Sequence, residues 1–86
     1  MEWDINNGSY TYHGLNLDTK PQIKHITRLN KSGYEFDIEI VGVEGDLFKG
    51  KVITIGPNPC VDAINVKRGD FVSFKENNIQ RLSSNA

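Results

Sequence analysis

The chain contains very little cysteine and no long apolar run. Cys60 is the single cysteine among 86 residues, so no disulfide can form within the chain. This usage suits a reducing compartment. No apolar run approaches the roughly 18–20 residues that a membrane-spanning helix needs, and the acidic start, with Glu2 and Asp4, differs from a signal peptide. We therefore expect a cytoplasmic protein that does not act at a membrane.

The chain also lacks an excess of charge of either sign. Ten Lys and Arg residues oppose eleven Asp and Glu residues, which gives a formal net charge of −1. This balance produces no overall field that would attract nucleic acid. The charges are nevertheless grouped, because residues 20–31 are basic and residues 35–39 carry an acid at every second position. This grouping indicates either a charge ladder between paired strands or a docking patch.

Residues that could form a metal site or carry out covalent catalysis are few and scattered. A predicted turn separates His13 from His25, and the sequence contains no Cys-x-x-Cys or His-x-x-x-His pattern. The spacing around Cys60 does not favour a nucleophile with its base and orienting acid. No glycine-rich phosphate loop precedes a helix. We therefore expect no enzyme: no catalytic residue, no metal site and no cofactor.

Alternation of apolar and polar residues predicts two central strands. Between residues 34 and 43, apolar side chains fall on one face and acids on the other. The turn at residues 44–46 leads into a second strand over residues 48–55. One register matches the apolar faces and pairs the charges. Starting from Val43 opposite Leu47, it places Ile40 opposite Gly50, Ile38 opposite Val52, and Glu39 opposite Lys51.

Residues 20–30 fit two different secondary structures. Asp18 as a capping residue and the early Pro21 are typical of a short helix. We favour a strand because the β-branched pair Ile26-Thr27 and a four-residue turn at 30–33 lead into the strong strand that follows. In that case three pairs face each other across the turn: Leu29 with Tyr34, Arg28 with Glu35, and Lys24 with Glu39.

Two further segments have the composition of strands. Gly69-Asp70 predicts a turn, and an alternating strand follows from Phe71 to Phe74. Residues 9–13 are a candidate first strand, since they are rich in aromatic and β-branched residues and flanked by glycine. Short strands joined by tight turns predict an all-β fold, a small curled antiparallel barrel of five to six strands.

We expect one domain over residues 1–86, with its core within residues 22–82. Its isoleucines, valines and phenylalanines are expected to point inward. Prolines at both sides of Asn58 prevent regular pairing, so residues 56–63 form the longest irregular segment and a natural place for a binding loop. We expect the tail, residues 83–86, to be disordered.

Several of these motifs resemble those of SH3-like small barrels such as Tudor, KOW and Sm-like modules. More closely, the chain is similar to a family of short bacterial domains of unknown function, with a Gly-x-Leu strand, an Asn-Pro loop and a Gly-Asp-x-Val-x-Phe strand. The matching residues lie within about residues 34–82 and are Gly50, Asn58-Pro59, Gly69, Asp70, Val72, Phe74 and Ile79. The resemblance implies an SH3-like barrel in a bacterial or phage accessory protein. Leu82 departs from the pattern, which has an aromatic residue there.

Two kinds of binding site remain after these exclusions. A non-catalytic protein- or peptide-interaction module would use the aromatic N-terminal region and the loop around Asn58, or an exposed edge strand. The alternative is a nucleic-acid-binding barrel that uses the basic segment 20–31 with Lys67 and Arg68. We predict a protein partner, with the chain acting as a monomer or a homodimer. The candidate binding residues are Trp3, Tyr10, Tyr12, Lys24, Arg28, Asn58, Lys67 and Arg68. The three aromatic residues could instead cap one end of the core.

Overall fold

Six β-strands form one mixed sheet in the computed structural model, which describes residues 3–6, 8, 10–17, 19–56 and 66–84. The strands are β1 (Thr11–His13), β2 (Ile26–Lys31), β3 (Tyr34–Glu44), β4 (Leu47–Gly56), β5 (Phe71–Lys75) and β6 (Arg81–Ser83). A single 3-10 turn, Glu76–Asn78, connects β5 to β6. The predicted all-β class is confirmed. Residues 20–30 contain no helix, and β2 occupies their second half.

The strands lie in the spatial order β1-β6-β2-β3-β4-β5. The sheet is curled but not closed, so β1 and β5 form its two edges. Strands β2 to β5 follow one another as an antiparallel meander. Strand β1 instead pairs in parallel with β6, which makes the sheet mixed rather than wholly antiparallel.

The core lies on the concave face of the meander. Phe36, Ile38 and Ile40 from β3 are fully buried there, against Val52 of β4 and Phe74 of β5. Burying a side chain of this size contributes about 1.5–3 kcal/mol. Outward-facing valines and phenylalanines correct the expectation that all such residues point inward, because Val41, Val43 and Phe71 are exposed.

The β3–β4 pairing contains the three central pairs that the sequence predicts. Ile38 faces Val52, and the pairs Ile40–Gly50 and Glu39–Lys51 also form. The predicted starting pair, Val43 with Leu47, is wrong by one residue, since Val43 lies opposite Phe48. The reason is an irregularity between Ile40 and Gly42, where β3 has one residue more than β4.

The β2–β3 turn is tighter than the sequence predicts. Ser32 and Gly33 form a two-residue loop, with φ angles of 53° and 83°. Positive φ at both positions is typical of the hairpin turn whose twist matches that of the strands. Consequently the three predicted pairs are wrong, and the observed pairs are Lys31 with Tyr34, Leu29 with Phe36, Arg28 with Asp37, and Ile26 with Glu39.

The N-terminal segment, residues 3–6, crosses from β2 to the far edge of the sheet. The Asp4 N–H donates to the Asn30 carbonyl at 2.9 Å, and the Trp3 indole N–H donates to the Ser73 carbonyl at 3.0 Å. The Trp3 ring packs edge-on against Phe36, with centroids 5.0 Å apart. The core therefore extends beyond residues 22–82, and this segment packs across the open side of the curled sheet.

The beginning of the tail is ordered, contrary to expectation. Ser83 is buried in β6, where it pairs with His13 and Ile26. The Ser84 N–H continues the ladder by donating to the His13 carbonyl at 3.1 Å. Pairing with strands on both sides supplies the backbone hydrogen bonds that a free tail would lack.

Candidate binding surface on strand β5

The aromatic N-terminal residues do not share one surface. Trp3 is only 6% exposed and belongs to the core, so it is not a platform on which a ligand could stack. Tyr10 and Tyr12 are half-buried, with ring centroids 5.3 Å apart. Burial of Trp3 agrees with the alternative that the N-terminal aromatic residues cap the core.

Tyr10 and Tyr12 line an open cleft of about 680 Å³ beside the 3-10 turn. The Tyr10 hydroxyl donates to the Glu76 carboxylate at 2.9 Å. Burial and, to a smaller extent, this hydrogen bond raise the pKa of Tyr10 well above its usual range, so the phenol stays protonated. Lys20 is the basic residue that lines this cleft, and neither Lys24 nor Arg28 reaches it.

Arg28 lies in a charge ladder rather than in a free basic patch. Its guanidinium contacts Asp37 at 3.0 Å and Glu35 at 3.1 Å, and the hydrogen bond to Asp37 raises the pKa of Arg28. Such pairing leaves fewer donors for a phosphate. Lys24 is exposed, and its backbone N–H donates to the Ile40 carbonyl at 2.8 Å.

The turn before β5 carries the other predicted basic residues. Lys67 and Arg68 are both exposed, and Gly69 allows the turn with a φ of 91°. The Arg68 guanidinium donates to the Ile53 carbonyl at 3.0 Å, and with Lys51 it lines a shallow cleft of about 580 Å³. Asn58 lies outside the described residues.

Phe71 is the prominent surface residue that the sequence analysis missed. Its side chain is 70% exposed, whereas that of Phe74 in the same strand is 2% exposed. Residues alternate between the two faces of a strand, so Val72 and Phe74 share the core face and Phe71 must face outward. The alternation Phe-Val-Ser-Phe-Lys over residues 71–75 already contained this information.

The backbone N–H and C=O groups of Phe71 also point away from the neighbouring strand β4. In an antiparallel pair, the residues of one strand turn their N–H and C=O groups alternately toward the neighbour and away from it. The Asp70 carbonyl accepts from the Val52 N–H of β4. The backbone groups of Val72 and Phe74, two and four residues further on, therefore also point toward β4. The Ser73 carbonyl and the Lys75 N–H bond to Trp3 and Asn78 instead. The N–H and C=O groups of Phe71, Ser73 and Lys75 therefore point away from β4.

Two of the outward groups on β5 already have partners, and the rest form a short open edge. The Trp3 indole covers the Ser73 carbonyl, and the Asn78 side chain covers the Lys75 N–H at 2.8 Å. The N–H and C=O of Phe71 and the N–H of Ser73 have no partner among the described residues. Unpaired groups of this kind can receive an added strand.

Two lysines share with Phe71 the outer face, meaning the side of the sheet opposite the core. Lys51 lies directly opposite Phe71, and Lys75 lies four residues along the same strand. Neither lysine is within ion-pair distance of a carboxylate in the described chain. Lys49 differs, because it contacts Glu44 at 3.4 Å.

A cleft lined by both apolar and polar residues lies beside the same edge. Leu47 and Ile5, which are 38% and 61% exposed, line it together with Trp3 and Phe74. Its volume is about 460 Å³. We name the open edge with Phe71, Ser73, Lys75 and Lys51 the β5 surface.

Comparisons with protein-family models, with curated proteins and with solved structures find no match to this chain. The resemblance to SH3-like barrels and to the short bacterial domains therefore stays a prediction. The described part of the chain holds no cluster of three metal-ligating side chains. Nor does any helix among the described residues have the length and apolar character to cross a membrane.

Proposed function

We propose that this chain is a non-catalytic binding module that takes an extended segment of a protein partner along β5. The observation that carries the proposal is Phe71, which is 70% exposed on an edge strand and whose outward N–H and C=O groups have no partner among the described residues. In strand addition, main-chain hydrogen bonds supply affinity and side-chain contacts supply specificity. The β5 surface offers both kinds of contact within three residues.

The size of the open edge limits the strength of this interaction. Among the described residues, three outward backbone groups of β5 have no partner, and each hydrogen bond that they form contributes about 0.5–1.5 kcal/mol net. Burying the exposed Phe71 ring contributes about 1.5–3 kcal/mol more. Since ordering the peptide opposes these gains, we expect weak and reversible binding, of the kind found in transient recognition.

A second candidate is a single-stranded nucleic acid that stacks on Phe71. The favouring observation is that Lys51 lies opposite the exposed ring, with Arg68 at the adjoining cleft. Aromatic rings interleaved with basic residues are typical of such sites. A peptide is favoured because the open N–H and C=O groups of Phe71 suit a peptide strand.

The proposal is tested by selecting peptides from a displayed random library on the immobilised protein. We expect enriched sequences with alternating apolar residues, and we expect the variant Phe71→Ser to lose them by at least tenfold. Leu17→Ser is the matched control, since Leu17 is 79% exposed and lies outside the sheet. The proposal is wrong if the selected peptides bind Phe71→Ser and wild type equally.

The nucleic-acid alternative has its own measurement. Binding of an oligothymidine is followed over increasing salt, because phosphate contacts make affinity fall steeply with ionic strength. If the partner is a peptide, Phe71 should not contribute to oligothymidine binding, so wild type and Phe71→Ser should bind the oligothymidine equally weakly. Tight oligothymidine binding that depends on Phe71 and falls steeply with salt would instead support the second candidate.

A further inference from the structure

We propose that the segment received by β5 is acidic, with an apolar side chain on Phe71 and carboxylates opposite Ser73 and Lys75 that reach the Lys75 ammonium group. This inference rests on the proposed function and adds the chemical class of the partner. It follows from how charge is arranged across the outer face of the sheet.

Charge on the outer face alternates from one strand to the next. Arg28 of β2 faces Asp37 of β3, and Glu39 of β3 faces Lys51 of β4. Acids of β3 therefore lie between Arg28 on one side and Lys51 on the other. Opposite charges on neighbouring strands stabilise their pairing, whereas like charges oppose it.

Strand β5 interrupts this alternation. Its outer face presents Phe71, Ser73 and Lys75, with no acid to match the lysines of β4. Asp70, at the start of the strand, has its carboxylate engaged by the Lys67 N–H at 2.9 Å. An acidic strand beyond β5 would supply the carboxylates that Lys75 lacks.

The spacing on β5 defines the pattern of the partner. Phe71 and Lys75 lie four residues apart, which corresponds to about 14 Å in an extended strand. If an apolar residue of the partner lies opposite Phe71, the partner residue two positions further lies opposite Ser73, and the one four positions further lies opposite Lys75. We expect acids at those two positions, which gives the pattern apolar-x-acid-x-acid when read in the direction of β5.

The covered end of the edge fits this pattern. Because Asn78 occupies the Lys75 N–H, a partner backbone cannot continue the ladder past Ser73. The Lys75 side chain is still exposed. Contact at that end is therefore made by side chains, and a flexible carboxylate reaching an ammonium group is suited to it.

The test uses two short synthetic peptides that alternate threonine with outer-face residues. One carries Phe, Asp and Glu on that face, and the other carries Phe, Asn and Gln. Exposed ion pairs are each worth a modest amount, so we expect the acidic peptide to bind about 2- to 5-fold more tightly per carboxylate. The difference should shrink as salt is added.

A charge reversal on the protein provides the decisive arm. Lys75→Glu should abolish the preference for the acidic peptide, while the amide peptide binds as before. Lys24→Glu is the matched control because Lys24 is exposed and bonded to β3, with β4 between it and β5. That control should keep the preference.

The outcomes separate this inference from the proposed function. If both peptides bind equally to wild type through Phe71, the acidic preference is refuted and strand addition stands. If neither peptide binds and the library yields no ligand that depends on Phe71, both proposals fail. A preference that survives in Lys75→Glu also refutes the assignment to this surface.

Discussion

The two edges of the sheet differ in what they present to the surroundings. Strand β1 has three residues, pairs in parallel with β6, and exposes the polar side chains of Thr11 and His13. Strand β5 has five residues, pairs antiparallel with β4, and exposes Phe71. A short polar edge is a common protection against unwanted pairing. The β1 edge has that protection and the β5 edge has only part of it.

The two ends of β5 differ: one end is tied to the rest of the fold, and the other is where we propose that a partner binds. At its C-terminal end, Trp3 and Asn78 bind the outward backbone groups and so join the edge to the core. At its N-terminal end, Phe71 stays open. The same strand therefore holds residues that maintain the fold and a residue that we propose binds a partner, and substitutions should distinguish them.

The largest predicted difference is between the two phenylalanines of β5. Phe74→Ala should lower the free energy of unfolding by about 3–5 kcal/mol, because Phe74 is 2% exposed and its removal leaves a cavity. Phe71→Ala should lower it by less than about 1 kcal/mol, within the range of strand preference. Urea unfolding followed by tryptophan fluorescence measures both values. Equal losses would show that the Phe71 ring is not exposed.

Gly50 tests the packing between β4 and the core. A Cβ atom at this position would collide with the Ile38 side chain, and it would lie 3.0 Å from the Glu39 carbonyl and 3.2 Å from the Phe74 ring. We expect Gly50→Ala to destabilise the protein by about 3 kcal/mol, the upper part of the range for overpacking. Gly56→Ala in the same strand is the control, since no atom of the described residues, chain neighbours aside, lies within 4 Å of its Cβ position.

Asn78 tests the protected end of β5. Its side chain accepts from the Lys75 N–H and donates to the carbonyls of Trp3 and Asp4 at 3.4 Å. Asn78→Ala should cost about 1–3 kcal/mol, because buried backbone groups lose their partners. The exposed neighbour Asn77 provides the control as Asn77→Ala. A thermal melt in which both variants match wild type would contradict the role of this link.

Tyr10 gives the smallest expected effect and concerns the β1 side of the sheet. Its pKa is raised in the folded protein, so it favours folding below its ordinary pKa, and this contribution is lost as the pH rises above about 10. Stability should therefore fall less steeply in alkali for Tyr10→Phe than for wild type. Tyr34→Phe serves as the control, and identical alkaline profiles for wild type and Tyr10→Phe would contradict the account.

Alternation and charge were enough to predict the centre of the meander. Ile38 with Val52 and Glu39 with Lys51 are matched by type, so one register satisfies both faces. The extra residue near Val41 has only a weak signal, because Gly42 inside a strand is typical of a bulge but does not fix which residue is added. The outward direction of Phe71 was predictable from the same alternation.

Contacts between distant parts of the chain were beyond the reach of local patterns. Trp3 bonds to Ser73, 70 residues away, and nothing in its neighbourhood indicates that partner. The two-residue turn was not predicted because Ser32 adopts a positive φ, which glycine favours and other residues seldom adopt. Tertiary packing decides such positions, so the partners of the β5 backbone groups needed a structure to be found.

Amide hydrogen exchange along β5 tests the central claim most directly. In the free protein, the Phe71 N–H should exchange rapidly, while the N–H groups of Val72 and Phe74 should be protected by β4. Adding the acidic peptide should slow exchange at Phe71 and leave Tyr12, on the opposite edge, unchanged. A Phe71 N–H that is already as protected as that of Phe74 in the free protein would contradict an open β5 edge.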